Sequence, residues 1–218
     1  NDKDAQLFMR NIINFLKLPS SSHLLDLPCG KGRHSIYLNS LGYKVTGADL
    51  SKNSIQAAKK HENSSLDFKL KDMRKSFDIK YDAVFNLFTS FGYFENDIDD
   101  ILVLKNIHDG LNENGLLVLD FLNVINVKKK LVKKEIKIID NITFNLEREI
   151  KDGFIIKHIN FKDKGVNHSY SERVKYLDLE KFKSYFIKAG LKINHIFGDY
   201  HLTKFNPVTS ERLIFVVS

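Results

Sequence analysis

The sequence predicts an α/β protein: a mostly parallel sheet with helices on both faces, an antiparallel edge strand, and a small antiparallel β insertion after the fifth strand. Three observations carry this. Short apolar runs alternate with helix-period segments from the start to "GLLVLDFLN", as in parallel strands joined by helical crossovers. The pattern then changes to period two over 135–176, with turns at "KDG" and "DKG". Two last apolar runs follow one more helix and suit an edge hairpin joined by the loop 199–210, which contains Pro207.

Taken in order, 3–16 places Leu7, Phe8, Ile12, Phe15 and Leu16 at helical spacing, and Pro19 with three serines ends the segment. "HLLDL" is a short buried strand. A helix runs from Arg33 to Leu41, with Gly42 as its cap. "YKVTGAD" is a second strand ending at Asp49, and Ser51 is the N-cap of "NSIQAAKKH". "SLDFKLKD" is a third strand ending at Asp72, and "YDAVFNLF" a fourth. A helix from Asp97 to Leu111 sets Ile101, Leu104, His108 and Leu111 on one face, with His108 at the surface or core edge. "GLLVLDFLN" is the fifth strand. "ITFNLEREI", "FIIKHINF" and "VNHSYSERVKY" form an antiparallel meander. "LEKFKSYFIKAG" is a helix ended by Gly190, and "LKINHIFGDY" and "ERLIFVVS" are the final strands. The expected organisation is a core of 1–127 and 177–218, with 128–176 as an inserted lid.

The chain has 218 residues, 43% of them apolar, enough for a substantial core. Its one cysteine, Cys29, excludes an internal disulfide and suits a reducing compartment. No apolar run approaches the roughly 18 residues of a membrane helix, and the start lacks a signal-peptide pattern; a cytoplasmic protein is expected. The net charge of +7 fits either a polyanionic partner or a solvated lysine-rich surface. Only "KKKLVKK" at 128–134 is densely basic, and it lacks interleaved aromatics.

The chemistry concentrates in "HLLDLPCGKGRHS". Ligands in open α/β sheets bind at the carboxyl ends of strands, near the point where strand order reverses. Gly30 and Gly32 lack a Cβ and let backbone approach a ligand closely. A dinucleotide fingerprint wants a third glycine where Ser35 stands, and a phosphate-binding G-x-x-x-x-G-K-[ST] loop is absent. Asp26 would repel a diphosphate, whereas a cationic nucleoside removes the conflict. S-adenosylmethionine, with its ammonium and sulfonium, fits: Asp26 attracts the ammonium, Asp49 accepts from the ribose hydroxyls, Asp72 accepts from the adenine amino group, and Met73 packs on the ring. Each aspartate also has a plain reading as a turn former or helix cap.

"LLDLPCGKGRHSIYL…GYKVTGADLS" resembles the class I S-adenosylmethionine-dependent methyltransferases, whose usual stretch is an aspartate, a small residue, then C-G-x-G. The likeness continues through "LKDM", "YDAVFNLFTSFGYF", "NENGLLVLDF", "ERVKYL", "IFGDY" and "ERLIFVV". It implies a Rossmann-like class I methyltransferase sheet. It also implies that Asp26, Cys29, Gly30 and Gly32 line the methionine part, Asp49 and Leu50 hold the ribose, and Asp72 and Met73 hold the adenine. Asn86 and Leu87 would lie beside the transferable methyl. Pro28 departs from the family's usual glycine or alanine and removes one amide donor.

Methyl transfer needs an acceptor aligned behind the methyl carbon, and a dedicated base is optional. The loop "NLFTSFGYFEN" supplies Phe88, Phe91, Tyr93 and Phe94 as pocket walls. It lacks the [DN]-P-P-[YFW] signature of DNA amino-methyltransferases. In the meander, His168, Tyr170, Glu172 and Tyr176 share a strand face, with Arg173 on the other. A carboxylate substrate favours Arg173 and an amine favours Glu172. His168 and Tyr93 are the candidate catalytic groups, and no metal site is expected. The expected function is methyl transfer from S-adenosylmethionine to nitrogen or oxygen of a small molecule, in a monomer or homodimer, with S-adenosylhomocysteine as product. The alternatives are an RNA or protein methyltransferase that uses the basic surface, and a catalytically silent S-adenosylmethionine-binding protein.

Overall fold

The computed structural model describes residues 2–218, and side chains from residue 4 onward. The order is α1 (Asp2–Leu16), β1 (His23–Asp26), α2 (Arg33–Ser40), β2 (Lys44–Asp49), α3 (Lys52–Ala58), β3 (Leu66–Leu70), β4 (Tyr81–Asn86), α4 (Asp97–Asp109), β5 (Leu111–Leu122) and α5 (Val124–Lys129). Then come β6 (Lys134–Ile139), β7 (Ile142–Lys151), β8 (Phe154–Asp163), β9 (Val166–Lys175), α6 (Leu179–Ala189), β10 (Ile193–Phe197) and β11 (Arg212–Val217).

Seven strands form one sheet in the order β10-β11-β5-β4-β1-β2-β3. Strands β1 to β5 pair in parallel, and β11 runs antiparallel to β5. The antiparallel strand thus lies one place inside the edge, with β10 outermost. Both faces are covered, so the strands alternate between two cores. Leu25, Val84 and Phe215 pack with α4 and α6 (Val103, Leu104, Phe182, Phe186). Leu24, Phe85 and Ile214 pack with α1, α2 and α3 (Phe8, Ile12, Leu38, Ile55). The strand order reverses between β1 and β4, which opens the crevice where ligands bind in such sheets.

The inserted sheet is a four-stranded antiparallel meander, β6-β7-β8-β9. Its tight turns hold Asp140–Asn141, Asp152–Gly153 and Lys164–Gly165 at positive φ, the twist-matched geometry of two-residue hairpins. Two elements fall outside the sequence expectation. Strand β6 leaves Ile136 and Ile138 about 70% exposed (68% and 71%), so no buried face marks it in the pattern. Helix α5 has six residues, too few to show a period. Helix α4 also ends earlier than its apolar pattern suggests: Gly110 caps it and Leu111 opens β5.

Candidate active site

A cleft of about 410 Å³ lies over the carboxyl ends of β1, β2, β3 and β4. Leu27 and Pro28 line it after β1, Asp49 and Leu50 after β2, Lys71, Asp72 and Met73 after β3, and the whole segment Phe88–Phe94 after β4. The four strand ends meet because parallel pairing brings all their carboxyl termini to one side of the sheet.

The three strand-end carboxylates differ in what their oxygens do. Asp49 accepts from the Gly30 amide on Oδ2 (2.8 Å) and from the Ser51 amide on Oδ1 (2.7 Å). A carboxylate offers about four lone-pair directions, so each Asp49 oxygen keeps one for a ligand, as a ribose diol requires. Asp72 differs. Arg74 donates its amide and Nε to Oδ1, and Nε and Nη2 to Oδ2. These bonds hold the Asp72 carboxyl below its ordinary range and leave it little acceptor capacity for an adenine amino group.

Asp26 is 1% exposed and does not line the cleft. Burial pushes its carboxyl up to about 7, against the pull of the Ser35 hydroxyl, which donates to Oδ2 at 2.6 Å. A Cβ on Gly47 would lie 2.8 Å from Ser35 Oγ and 2.5 Å from the Phe68 ring, so Gly47 makes the room this contact needs. The residue that breaks the dinucleotide fingerprint, Ser35, is therefore the partner of Asp26.

The two loop glycines divide their work. Gly30 has φ +56° and open space where a Cβ would stand, which suits close approach of a ligand. Gly32 has φ +84°, but a Cβ there would meet the Phe68 ring at 2.6 Å. Its reason is packing on β3, a correction to the reading that both glycines serve ligand approach. Cys29 is buried in the core, and burial pushes its thiol far above its ordinary range, so it is no nucleophile. The Leu27–Pro28 peptide is cis.

Asn86 and Leu87, expected beside the methyl group, are buried and do not line the cleft. Asn86 donates to the Leu27 carbonyl at 2.9 Å, and its Oδ1 has no partner among the described residues. Of the substrate-side residues, Tyr93 lines the cleft and is 56% exposed. Burial and the Glu172 carboxylate raise its phenol above the ordinary range; Glu172 itself pairs with Lys157 at 3.1 Å. Phe91 borders the cleft but is 1% exposed, its ring packed on Phe182. Arg173 stacks on Phe154 at 3.5 Å and pairs with Glu95. His168 stacks on Phe161 at 4.8 Å and borders a different hollow, with Asn145 and Asn160. It lies seven residue steps along the strand from Lys175, whose amide bonds the Gly92 carbonyl. At about 3.3 Å per residue, it lies roughly 23 Å along β9 from the cleft end, so the structure removes it as a base for this site.

One cluster went unread in the sequence. Asp120, fully buried on β5, accepts from the Phe88 amide (2.8 Å), Arg212 Nε (2.8 Å) and the Tyr200 hydroxyl (3.4 Å). "IFGDY" and "ERLIFVV" contain Tyr200 and Arg212, but nothing in their spacing shows that they meet Asp120.

An open, mostly parallel α/β sheet with this strand order and a strand-end cleft has the Rossmann-like fold of class I S-adenosylmethionine-dependent methyltransferases. The comparisons agree with that fold: residues 24–115 match the family model described as a methyltransferase domain. The chain is 36% identical over 107 residues, 47% of its length, to YqeM of Bacillus subtilis, whose name marks it provisionally as a methyltransferase. It spans less than half the length of that relative, 43%. An S-adenosylmethionine-dependent methyltransferase from Clostridium acetobutylicum superposes with a TM-score of 0.85 at 19% identity, covering 100% of this chain and 92% of that one. The sugar N-methyltransferase KedS8 from Streptoalloteichus superposes at 0.76 and 16% identity, covering 97% of this chain and 86% of that one. At these identities the structural likeness is one of fold. Among the described residues no helix is long and apolar enough to cross a membrane.

Proposed function

We propose that this protein transfers a methyl group from S-adenosylmethionine to the nitrogen of a small amine. When bound, the cofactor supplies a methyl carbon carried on a sulfonium, open to in-line displacement. Asp49 and Gly30 hold the nucleoside and amino-acid ends along β1 and β2, with Leu50 and Met73 beside the base. The acceptor enters over Phe88–Phe94, under the lid formed by the inserted sheet.

The observation that supports the reading is the aromatic wall of the cleft, Phe88, Tyr93 and Phe94, with Tyr93 56% exposed. Aromatic faces attract an ammonium-bearing molecule, and the Glu172 carboxylate, near enough to raise the Tyr93 phenol although it also bonds Lys157 at 3.1 Å, adds to that attraction. Arg173, the group that would select a carboxylate, is occupied by Glu95 and Phe154. An amine needs only to shed its proton to solvent before attack, which agrees with a cleft that brings no histidine to its lining. KedS8 is named for N-methylation of a sugar, which supports a nitrogen acceptor.

The test is a panel of small amines, their matching alcohols and a short RNA, each incubated with methyl-labelled S-adenosylmethionine and read by mass. Label on amines alone is expected. Label on alcohols or RNA with none on amines overturns the nitrogen reading, and no transfer to any acceptor supports a silent binding protein instead.

A further inference from the structure

Two consecutive residues after β4, Phe88 and Thr89, sit at φ +58° and +62°. The lid turns use the same region with aspartate, asparagine, lysine and glycine. A phenylalanine followed by a β-branched threonine is a true outlier there, and such strain persists only where the surroundings over-determine it. The surroundings are a buried ion pair. Asp120 takes the Phe88 amide on Oδ2, and the Asp120 carbonyl takes the Thr89 amide at 3.0 Å. Arg212 donates Nε to Asp120 Oδ1 at 2.8 Å and Nη2 to Thr89 Oγ1 at 2.9 Å. One guanidinium fork thus ties the strained loop to the carboxylate beneath it.

Neither Asp120 nor Arg212 lines the cleft, whereas every residue from Phe88 to Phe94 does. Tyr200 extends the tie. Its hydroxyl reaches Asp120, its ring stacks on Phe8 of α1 at 4.7 Å, and its carbonyl accepts from Asn11 at 2.9 Å.

We propose that Asp120 and Arg212 are a positioning pair for the methyl acceptor: they fix the acceptor wall by holding Phe88 and Thr89 in a conformation these residues would otherwise leave. This rests on the methyltransferase reading above for its kinetic consequence, and on the geometry alone for the loop. Selectivity between the two halves of the cleft follows. Loss of the pair should disturb Phe88–Phe94 and leave Asp49 and Gly30, which follow β2 and β1 and do not touch the pair, unaffected.

The experiment compares Arg212→Gln, Arg212→Lys and Thr89→Val with wild type. Thr89→Val removes only the hydroxyl and keeps the Asp120–Arg212 pair, so it answers even where Arg212→Gln fails to fold. Hydrogen exchange at the Phe88 and Thr89 amides should accelerate at least about tenfold, while calorimetry finds S-adenosylhomocysteine affinity within about threefold. With the amine identified by the panel, kcat should fall at least about tenfold with the KM for S-adenosylmethionine unchanged. Unchanged protection at both amides overturns the proposal, as does a loss of S-adenosylhomocysteine affinity in step with turnover. If wild type methylates no amine, the functional reading fails on its own, and the exchange and calorimetry still decide whether the pair holds the loop.

Discussion

The two sides of the cleft, the proposed cofactor side and the proposed acceptor side, are built from opposite kinds of contact. On the cofactor side, Asp49 bonds Gly30 and Ser51, and Asp26 bonds Ser35, all at sequence separations of 19 residues or fewer. On the acceptor side, Asp120 reaches Phe88 over 32 residues, Arg212 reaches Asp120 over 92, and Arg212 reaches Thr89 over 123. The inserted sheet joins the same wall through Lys175, whose amide bonds Gly92 and whose ammonium bonds Asp100 at 2.5 Å. The lesson is that a βαβ unit makes half of the site by itself, while the other half exists only once β5, β11 and the inserted sheet have docked. A generic nucleoside pocket can thus be kept while the acceptor wall is remodelled through distant residues.

The comparison is open to attack at several points. The largest effect is expected at Asp49→Ala. It removes two ligand-facing acceptors, each worth about 1.5–3 kcal/mol when charged, so S-adenosylmethionine affinity should fall about a hundredfold or more. Calorimetry showing unchanged binding would break the assignment of the cofactor side. Next, Gly47→Ala forces a methyl against Phe68 and Ser35. Overpacking of this kind costs about 1–3 kcal/mol, expected as a drop in Tm of roughly 2–12 °C; a thermal melt at the wild-type temperature would mean that β2 and β3 yield there.

The Asp26 carboxyl gives a pH signature. Its folded pKa of about 7 lies above the ordinary carboxyl value of 3.8. Between about pH 4 and 7 the folded chain therefore holds a proton that the unfolded chain has released, and this group's contribution to stability falls as pH rises through that window. A bound cation favours the ionised form, so S-adenosylmethionine affinity should rise with pH to a plateau above about 7, by at most tenfold per unit. Asp26→Asn should flatten the profile; a profile of the same shape in that variant would detach Asp26 from the cofactor. The smallest effect is expected at Asp72→Asn. With Arg74 already on both oxygens, affinity should change by no more than about threefold, and a loss as large as that of Asp49→Ala would show that Arg74 releases the carboxylate when cofactor binds.

Much of this was legible in the residues. The alternation of apolar runs and helix-period segments gave the sheet, Ser51 and Gly190 marked helix ends, and "KDG" and "DKG" marked lid turns. These are signals of contiguous chain, because capping and turn chemistry act over two to four residues. The place of Asp49 at the cleft was readable for the same reason, as an acid ending a strand next to a glycine loop. His168 was misread because strand alternation reports a face and not a distance along the strand. Asp120 and Arg212 gave no signal, since an aspartate inside "LLVLDFL" and an arginine opening "RLIFVV" look like strand-end punctuation until β11 is laid against β5.

The opening loop shows where the boundary falls. The sequence by itself determined that "DLPCGKGRHS" closes a strand, opens a helix and places Gly30 at a strand end, since these follow from local sterics and periodicity. The tertiary structure alone decided what Asp26, Gly32 and Ser35 do there. Phe68 from β3 fills the space over Gly32 and Gly47, and Ser35 turns into the remaining gap to reach Asp26. Those contacts depend on the order in which β1, β2 and β3 lie side by side, and hydrogen bonding between strands, unlike a turn or a cap, is settled by neighbours distant in the chain.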